Sequence, residues 1–218
     1  MERIGGEGAM FQRIPKHIGI IPDGNRRWAA QRGLEKQDGY QNGISPGVRL
    51  FELLAAHGVQ EVTFYGFTKD NNKRPVGQRQ AFTQACIDAV ELLKHRNANL
   101  LVIGNDKSPA FPEELKPYAN RRIILQDGGM NVNFLVNYDW EWDLKSAQSA
   151  NGKIASDAIA RVDLLIRWGG MRRLSGFLPV QSVYADFYIV DDYWPDFQEE
   201  HCLDALRWYQ TCDVTLGG

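Results

Sequence analysis

Asp23, Gly24, Asn25, Arg26 and Arg27 follow one another directly after the apolar run Ile18 to Ile21, and Trp28 closes the block HIGIIPDGNRRW. An apolar strand that turns straight into a helix presents free backbone N–H groups and a helix N-terminus at its carboxyl end. Two guanidinium forks beside those groups match phosphate oxygens, and an aspartate can hold a magnesium ion that bridges them. The chemistry this points to is the binding of a diphosphate. The plain alternative is that Asp-Gly is turn chemistry and the arginines form a solvated helix face.

Two further blocks have the same design. TFYGFTKDNNKRP, from Thr63 to Pro75, reads as a strand whose carboxyl end carries Thr68, Asp70, Asn71 and Arg74. VDLLIRWGGMRRLSGFLPVQS, from Val162 to Ser182, is again a strand, followed by Arg167, Gly169, Gly170, Arg172, Arg173 and Ser175. Arginine forks and a hydroxyl around paired glycines make a second anion site, because glycine lets the backbone approach a ligand closely. Either block could also be an ordinary polar or basic surface loop. Taken together, two diphosphate sites and an apolar wall imply that one prenyl diphosphate is ionised and another attacks it.

The elements that must position these residues follow from apolar runs separated by helical patterns. Ile18–Ile21, Val62–Tyr65, Leu100–Ile103, Val132–Val136, Val162–Ile166 and Phe187–Val190 are short and apolar on both faces, which is the signature of buried parallel strands in an α/β sheet. In parallel sheets the ligand crevice lies past the carboxyl ends of the strands, where all three polar blocks fall. Ser45 and Pro46 read as an N-cap and first residue of a helix that runs through His57 and stops at Gly58. Phe82, Cys86, Ala89 and Leu93 give Arg79 to Arg96 one apolar helix face, and a last helix spans Gln198 to about Gln210. Ile123 to Leu125 fits either a helix end or a short strand.

Composition bounds the rest. At 218 residues and 44% hydrophobic content, one substantial core is expected. The expected domains are a flexible segment at 1–14 and one catalytic domain at 15–218. A net charge of -2, with no basic tail or stripe, argues against nucleic acid as a partner. Cys86, Cys202 and Cys212 have neither disulfide-framework nor zinc spacing, which suits a reducing compartment. Met1 to Phe11 holds glycines where a signal peptide needs an apolar run, and no later stretch is long enough to span a bilayer. A cytoplasmic protein without stable membrane insertion is the expectation.

In this order the blocks resemble the cis-prenyltransferases, the family of undecaprenyl diphosphate synthase, from His17 to Gly218. DGNRRW is similar to the family's DGNxRW, FTKDNNKRP to its F-S-x-E-N-W-x-R-P, and NVNFLVNY to its strand ending in N-Y-G-G-R. DLLIRWGGMRRLSGFLPVQSVYADFY followed by WPDF resembles the longest family signature. The resemblance implies a six-stranded, mostly parallel sheet wrapped by helices, acting as a homodimer on prenyl diphosphates with magnesium. It implies that Asp23, Asn25, Thr68 and Asn71 are catalytic, with Asp23 holding magnesium on the allylic diphosphate. Gly24, Arg26, Arg27, Trp28, Tyr40 and Arg74 would bind substrate there, and Arg167, Arg173 and Ser175 would hold the second diphosphate. Asp186 stands where the family has a metal-assisting glutamate. The closing Leu216-Gly217-Gly218 resembles a tail that reaches a partner subunit's diphosphate site.

The departures from the family pattern point to the product. Tyr40 replaces a histidine, Asp70 a glutamate and Asn72 a tryptophan, while Met171 and Arg172 occupy positions often held by glutamate and histidine. Asp139-Trp140-Glu141-Trp142 stands in place of glycine-glycine-arginine, and the connection from there to Asp163 is short. The two tryptophans, with Phe82 and Phe134, could block the apolar channel, or they could simply pack on a helix. The expected reaction joins two short prenyl diphosphates, with dimethylallyl or geranyl diphosphate as donor, into a branched, lavandulyl-type skeleton. Alternatives are a regular short cis-prenyl product from isopentenyl diphosphate, a terpene synthase, or an inactive partner subunit. Tyr40, Asp70 and diphosphate oxygens are all candidate proton acceptors.

Overall fold

A computed structural model describes residues 11–148 and 151–213. The chain runs β1 (His17–Ile21), α1 (Asn25–Gln31), α2 (Asp38–Gln41), α3 (Ile44–Ala56), β2 (Glu61–Tyr65), α4 (Val76–Leu93), β3 (Ala98–Ile103), β4 (Ile123–Leu125), β5 (Met130–Leu135), α5 (Trp140–Ser146), β6 (Leu164–Arg167), β7 (Asp186–Ile189) and α6 (Glu199–Tyr209). The strands form one sheet in the order β4-β3-β5-β2-β1-β6-β7. Every pairing is parallel except β3 with β4. The sheet therefore has seven strands rather than six. The extra one is the ambiguous Ile123–Leu125, which pairs antiparallel with β3 at the edge and leaves Ile124 exposed.

Strand residues are buried on both faces because each face has its own core. Ile18, Ile20, Val62 and Phe64 pack with Leu50, Leu54, Val90 and Leu206, beneath α3, α4 and α6. Ile21, Tyr65, Leu101, Ile103 and Leu135 pack with Tyr138, Ile159, Phe177 and Leu178 on the other side. That two-sided burial is why the runs read as continuous apolar stretches rather than alternating ones.

Element ends moved for local reasons. The α3 N-cap is Gly43, so Ser45 and Pro46 sit in the first turn, where proline's missing N–H costs no intrahelical bond. Helix α4 begins directly after Pro75 and ends at Leu93. Val162 lies outside β6, since its N–H donates to the Gln181 carbonyl. Of the segment 1–14, residues 1–10 lie outside the described residues. The next four are tied down: Phe11 and Ile14 pack on the core, and the Arg13 N–H donates to Gln210 Oε1 at 2.9 Å. Leu216-Gly217-Gly218 also lie outside the described residues.

The lower half of the sheet carries a buried polar chain. His17 Nδ1 donates to the Ala160 carbonyl at 2.9 Å, and the Thr63 hydroxyl donates to His17 Nε2 at 2.8 Å. Thr63 accepts from Asn133, which also donates to Glu61, while Arg122 donates to Asn133 Oδ1. Burial holds the imidazole below its ordinary pKa of 6.5, even with Glu61 and Asp163 nearby favouring charge. The unfolded chain therefore binds a proton near pH 6.5 that the native protein refuses, so stability is lost as pH falls below that value. The urea midpoint should drop between pH 6.5 and 5.5 in the native protein, and His17→Gln should flatten that drop. An identical slope in the variant would contradict this role for His17.

Candidate active site

Strand register brings the first and third polar blocks together. Ile21 at the end of β1 lies opposite Arg167 at the end of β6. From β1 the chain winds to one side of the sheet and from β6 to the other, which makes this the point where strand order switches and a crevice opens. Gly24 takes a φ of 105°, and a Cβ there would lie 2.6 Å from the Tyr193 ring, so the turn into α1 needs glycine. Gly169, at φ 83°, lies over the Asp23 carbonyl, with the Arg27 guanidinium 2.5 Å from where a Cβ would stand.

Asp23 is the hub of the crevice. Its Oδ1 accepts from the Gly24 N–H at 2.6 Å and lies 3.5 Å from Arg27 Nη2, and its Oδ2 accepts from Arg167 Nη2 at 2.8 Å. Arg167 is buried, yet it is compensated: Nη1 donates to Ser175 Oγ at 2.9 Å and to the Arg173 carbonyl. Tyr65 Oη donates to the Ser175 carbonyl at 2.7 Å and so ties the loop after β6 to the end of β2. Two buried polar atoms here, Asn25 Oδ1 and Arg167 Nε, have no hydrogen-bond partner among the described residues. Such orphans mark a site that a ligand or water completes.

The second block closes the crevice from β2. Thr68 caps the 3-10 turn Lys69–Lys73, its N–H donating to Asn71 Oδ1 at 3.0 Å. Arg74 then donates to Tyr40 Oη at 2.8 Å. Asp70 turns to Lys73 at 2.7 Å with both side chains in solvent, and that ammonium lowers its pKa. Burial raises the Tyr40 phenol above its usual range. Neither group is a ready base at neutral pH.

The result is a basin of about 580 Å³, within the usual size range of small-molecule sites. Of the sequence-predicted residues, Asp23, Gly24, Asn25, Arg26, Arg27, Tyr40, Thr68, Asn71, Arg74, Arg167, Arg173 and Ser175 line it. With Lys36, the cations outnumber Asp23 and Asp70, so the basin suits polyanions. Its inner end meets an apolar cavity of about 90 Å³ lined by Phe51, Phe64, Phe82, Leu93 and Phe134.

Two expected site residues are elsewhere. The Trp28 indole donates to Asp196 Oδ1 at 2.7 Å and sits under Arg32, so it pins α1 to the turn Trp194–Asp196 instead of touching the basin. Asp186 starts β7 opposite Leu164, three strand steps or ~10 Å below the Arg167 level, and its charge acts on Cys212 and Tyr209. Within one chain it cannot share a metal with Asp23. Trp140 and Trp142 do not line the apolar cavity. Trp142 packs edge-on against Tyr138, and Trp140 lies half-exposed over Gly176. Their helix is anchored by Asp143, which accepts from Tyr138 Oη and Ser156. Phe82 and Phe134 are what narrow the channel. Tyr65, Gly66 and Lys36 line the basin without having been singled out, although Tyr65 and Gly66 stand at the β2 carboxyl end, where the parallel-sheet rule points.

Among the described residues no three His, Cys, Asp or Glu side chains gather into a metal cluster. Asp23, a partly exposed carboxylate in a wide cationic basin, still fits magnesium, which commonly takes one or two carboxylates and fills its shell with phosphate oxygens and water. Also among the described residues, no helix is long and apolar enough to cross a membrane.

Comparison with known proteins agrees with this geometry. A family profile described as putative undecaprenyl diphosphate synthase matches residues 21–217. The ditrans,polycis-undecaprenyl-diphosphate synthase of Aliivibrio fischeri is 28% identical, over 99% of this chain and 93% of its own. The isoprenyl transferase of Leptospira interrogans is 30% identical, over 97% of this chain and 98% of its own. The crystal structure of lavandulyl diphosphate synthase from Lavandula x intermedia, in complex with dimethylallyl diphosphate, superimposes with a TM-score of 0.77. It is 26% identical and covers 94% of this chain and 98% of that one. The chain therefore belongs to the undecaprenyl diphosphate synthase family, the cis-prenyltransferases, and is an isoprenyl diphosphate synthase by that membership.

Proposed function

We propose that the protein couples two short prenyl diphosphates head to middle, giving a branched, lavandulyl-type prenyl diphosphate. The observation that carries this reading is the pairing of a wide cationic basin with an apolar cavity of only about 90 Å³. A basin with arginines on both sides suits two diphosphates, and so small a cavity leaves no room for a growing polyprenyl tail. The altered second site supports the irregular outcome: Met171 lines the basin where the family often has glutamate, and Asp70 faces Lys73 in solvent.

In this reading the turn Asp23–Arg27 and Arg74 hold the donor diphosphate, with Asn25, Thr68 and Asn71 beside the reacting carbons. Magnesium, held by Asp23, would supply charge neutralisation on the diphosphate oxygens. The allylic C1–O bond breaks, and its electron pair stays on the departing diphosphate oxygen, whose negative charge the guanidinium groups stabilise. Arg167, Arg173 and Ser175 hold the acceptor so that its internal double bond faces that C1. The π electrons form the new C–C bond and leave a tertiary cation, which loses a methyl proton to give the terminal alkene. A departing diphosphate oxygen is the fitting proton acceptor, because Tyr40 already accepts from Arg74 and Asp70 is paired with Lys73. A homodimer in the cytoplasm completes the reading. The free thiols of Cys86, Cys202 and Cys212 suit a reducing compartment.

Dimethylallyl diphosphate supplied alone should give a branched ten-carbon diphosphate, identified by mass spectrometry and NMR. Product formed only when isopentenyl diphosphate is added would instead establish a regular chain synthase. Replacing the Asp23 carboxylate should lower kcat by about 10³-fold. Asp23→Asn is the informative change, since Asp23→Ala would strand the buried Arg167 guanidinium at a cost of about 3–5 kcal/mol. Full activity in a folded Asp23→Asn protein would refute the role given to Asp23.

A further inference from the structure

Tyr40 and Phe82 are the two aromatic rings that border both the cationic basin and the apolar cavity while touching each other. They stack with centroids 4.6 Å apart and planes 7° from parallel. Arg74 is fixed to the same pair: it donates to Tyr40 Oη at 2.8 Å, and its guanidinium lies 5.3 Å from the Phe82 ring centre. The far side of Phe82 meets Phe67 edge-on at 5.6 Å, and Phe67 is fully buried in the core. Phe82 therefore rests against the fixed core on that side. Beyond the pair, the cavity is closed by the stacked rings of Phe64 and Phe134.

Size decides what fits under this roof. An apolar cavity of about 150 Å³ holds one benzene molecule. The cavity here, at about 90 Å³, is smaller than that and walled by aromatic rings. A longer tail must displace something, and packed aromatic side chains shift as units rather than compress. With Phe82 backed by Phe67, the contact that opens is the one between Phe82 and Tyr40, and Arg74 is bonded to Tyr40.

We propose that the Tyr40–Phe82 pair, pinned by Arg74, couples the length of the donor tail to the grip on its departing diphosphate, so that a five-carbon donor reacts while a ten-carbon donor binds but turns over slowly. Tyr40 is a positioning residue in this scheme, acting through the Arg74 guanidinium. Phe82 is the specificity determinant. Discrimination against a longer donor then falls mainly on kcat, because binding energy from the extra carbons is spent separating the rings and loosening Arg74. The inference rests on the reading of the basin as an allylic diphosphate site, but it does not depend on which acceptor is used.

The test compares dimethylallyl and geranyl diphosphate as donors against one fixed saturating acceptor, with products resolved by mass. Calorimetry with the S-thiolo analogues of both donors reports binding separately from turnover. In the native protein the two analogues should bind within about tenfold of each other, while kcat for the geranyl donor falls by more than about tenfold. Phe82→Ala should raise the geranyl-to-dimethylallyl kcat ratio about tenfold, and Phe82→Leu, which keeps apolar volume but ends the stacking, should raise it less. Tyr40→Phe should lower kcat for both donors by about tenfold and leave their ratio unchanged. The proposal is overturned if the geranyl analogue fails to bind, or if folded Phe82 variants keep the native ratio. It is equally overturned if Tyr40→Phe changes only KM. Should isopentenyl diphosphate prove the only acceptor, the branched-product reading falls while this donor comparison stands.

Discussion

A guanidinium buried at the end of an interior strand is costly unless its charge is met, and the contact between Arg167 and Asp23 meets it. Removing such a group from water costs several kcal/mol, so its partners must be fixed in place. Asp23 Oδ2, Ser175 Oγ and the Arg173 carbonyl are those partners, supplied by the turn after β1 and the loop after β6. The pairing requires Ile21 and Arg167 to lie level across the two strands, and a glycine at 169 where the loop passes over the turn. One ion pair thus makes two segments, far apart in sequence, share a wall of the basin.

That constraint explains what could be read from the residues alone. The turn Asp23–Arg27, the Thr68–Arg74 segment and the Arg167–Ser175 loop were legible because each follows an apolar strand, and parallel strands put such ends at one edge of the sheet. Helix ends were less legible, since Ser45 and Pro46 suit an N-cap and first position as well as they suit the first turn that they occupy. Trp28 and Asp186 could not be excluded from the site by sequence. The direction of an indole depends on Asp196, distant in the chain, and the height of Asp186 depends on strand register. The seventh strand was ambiguous because an edge strand of three residues carries almost no periodic signal. Trp140 and Trp142 look like channel plugs by position, yet Asp143 draws their helix toward Ser156 and away from the cavity.

Membership in a family whose named relatives include undecaprenyl synthases sets the context for the small cavity. The turn after β1 reads DGNRRW, similar to the family's DGNxRW, whereas Tyr40, Asp70, Asn72, Met171 and Arg172 depart from the family pattern. Tyr40 and Phe82 line both the cationic basin and the apolar cavity, and Arg74 is bonded to Tyr40.

The most direct measurement is a crystal structure of the protein with magnesium and dimethylallyl S-thiolodiphosphate, an analogue that cannot ionise readily. Two analogue molecules should be bound side by side, one diphosphate on the Gly24–Arg27 turn with the metal at Asp23, the other on Arg167, Arg173 and Ser175. Their tails should converge under Tyr40 and Phe82. A single occupied diphosphate position, or one remote from the Asp23–Arg167 contact, would contradict the account.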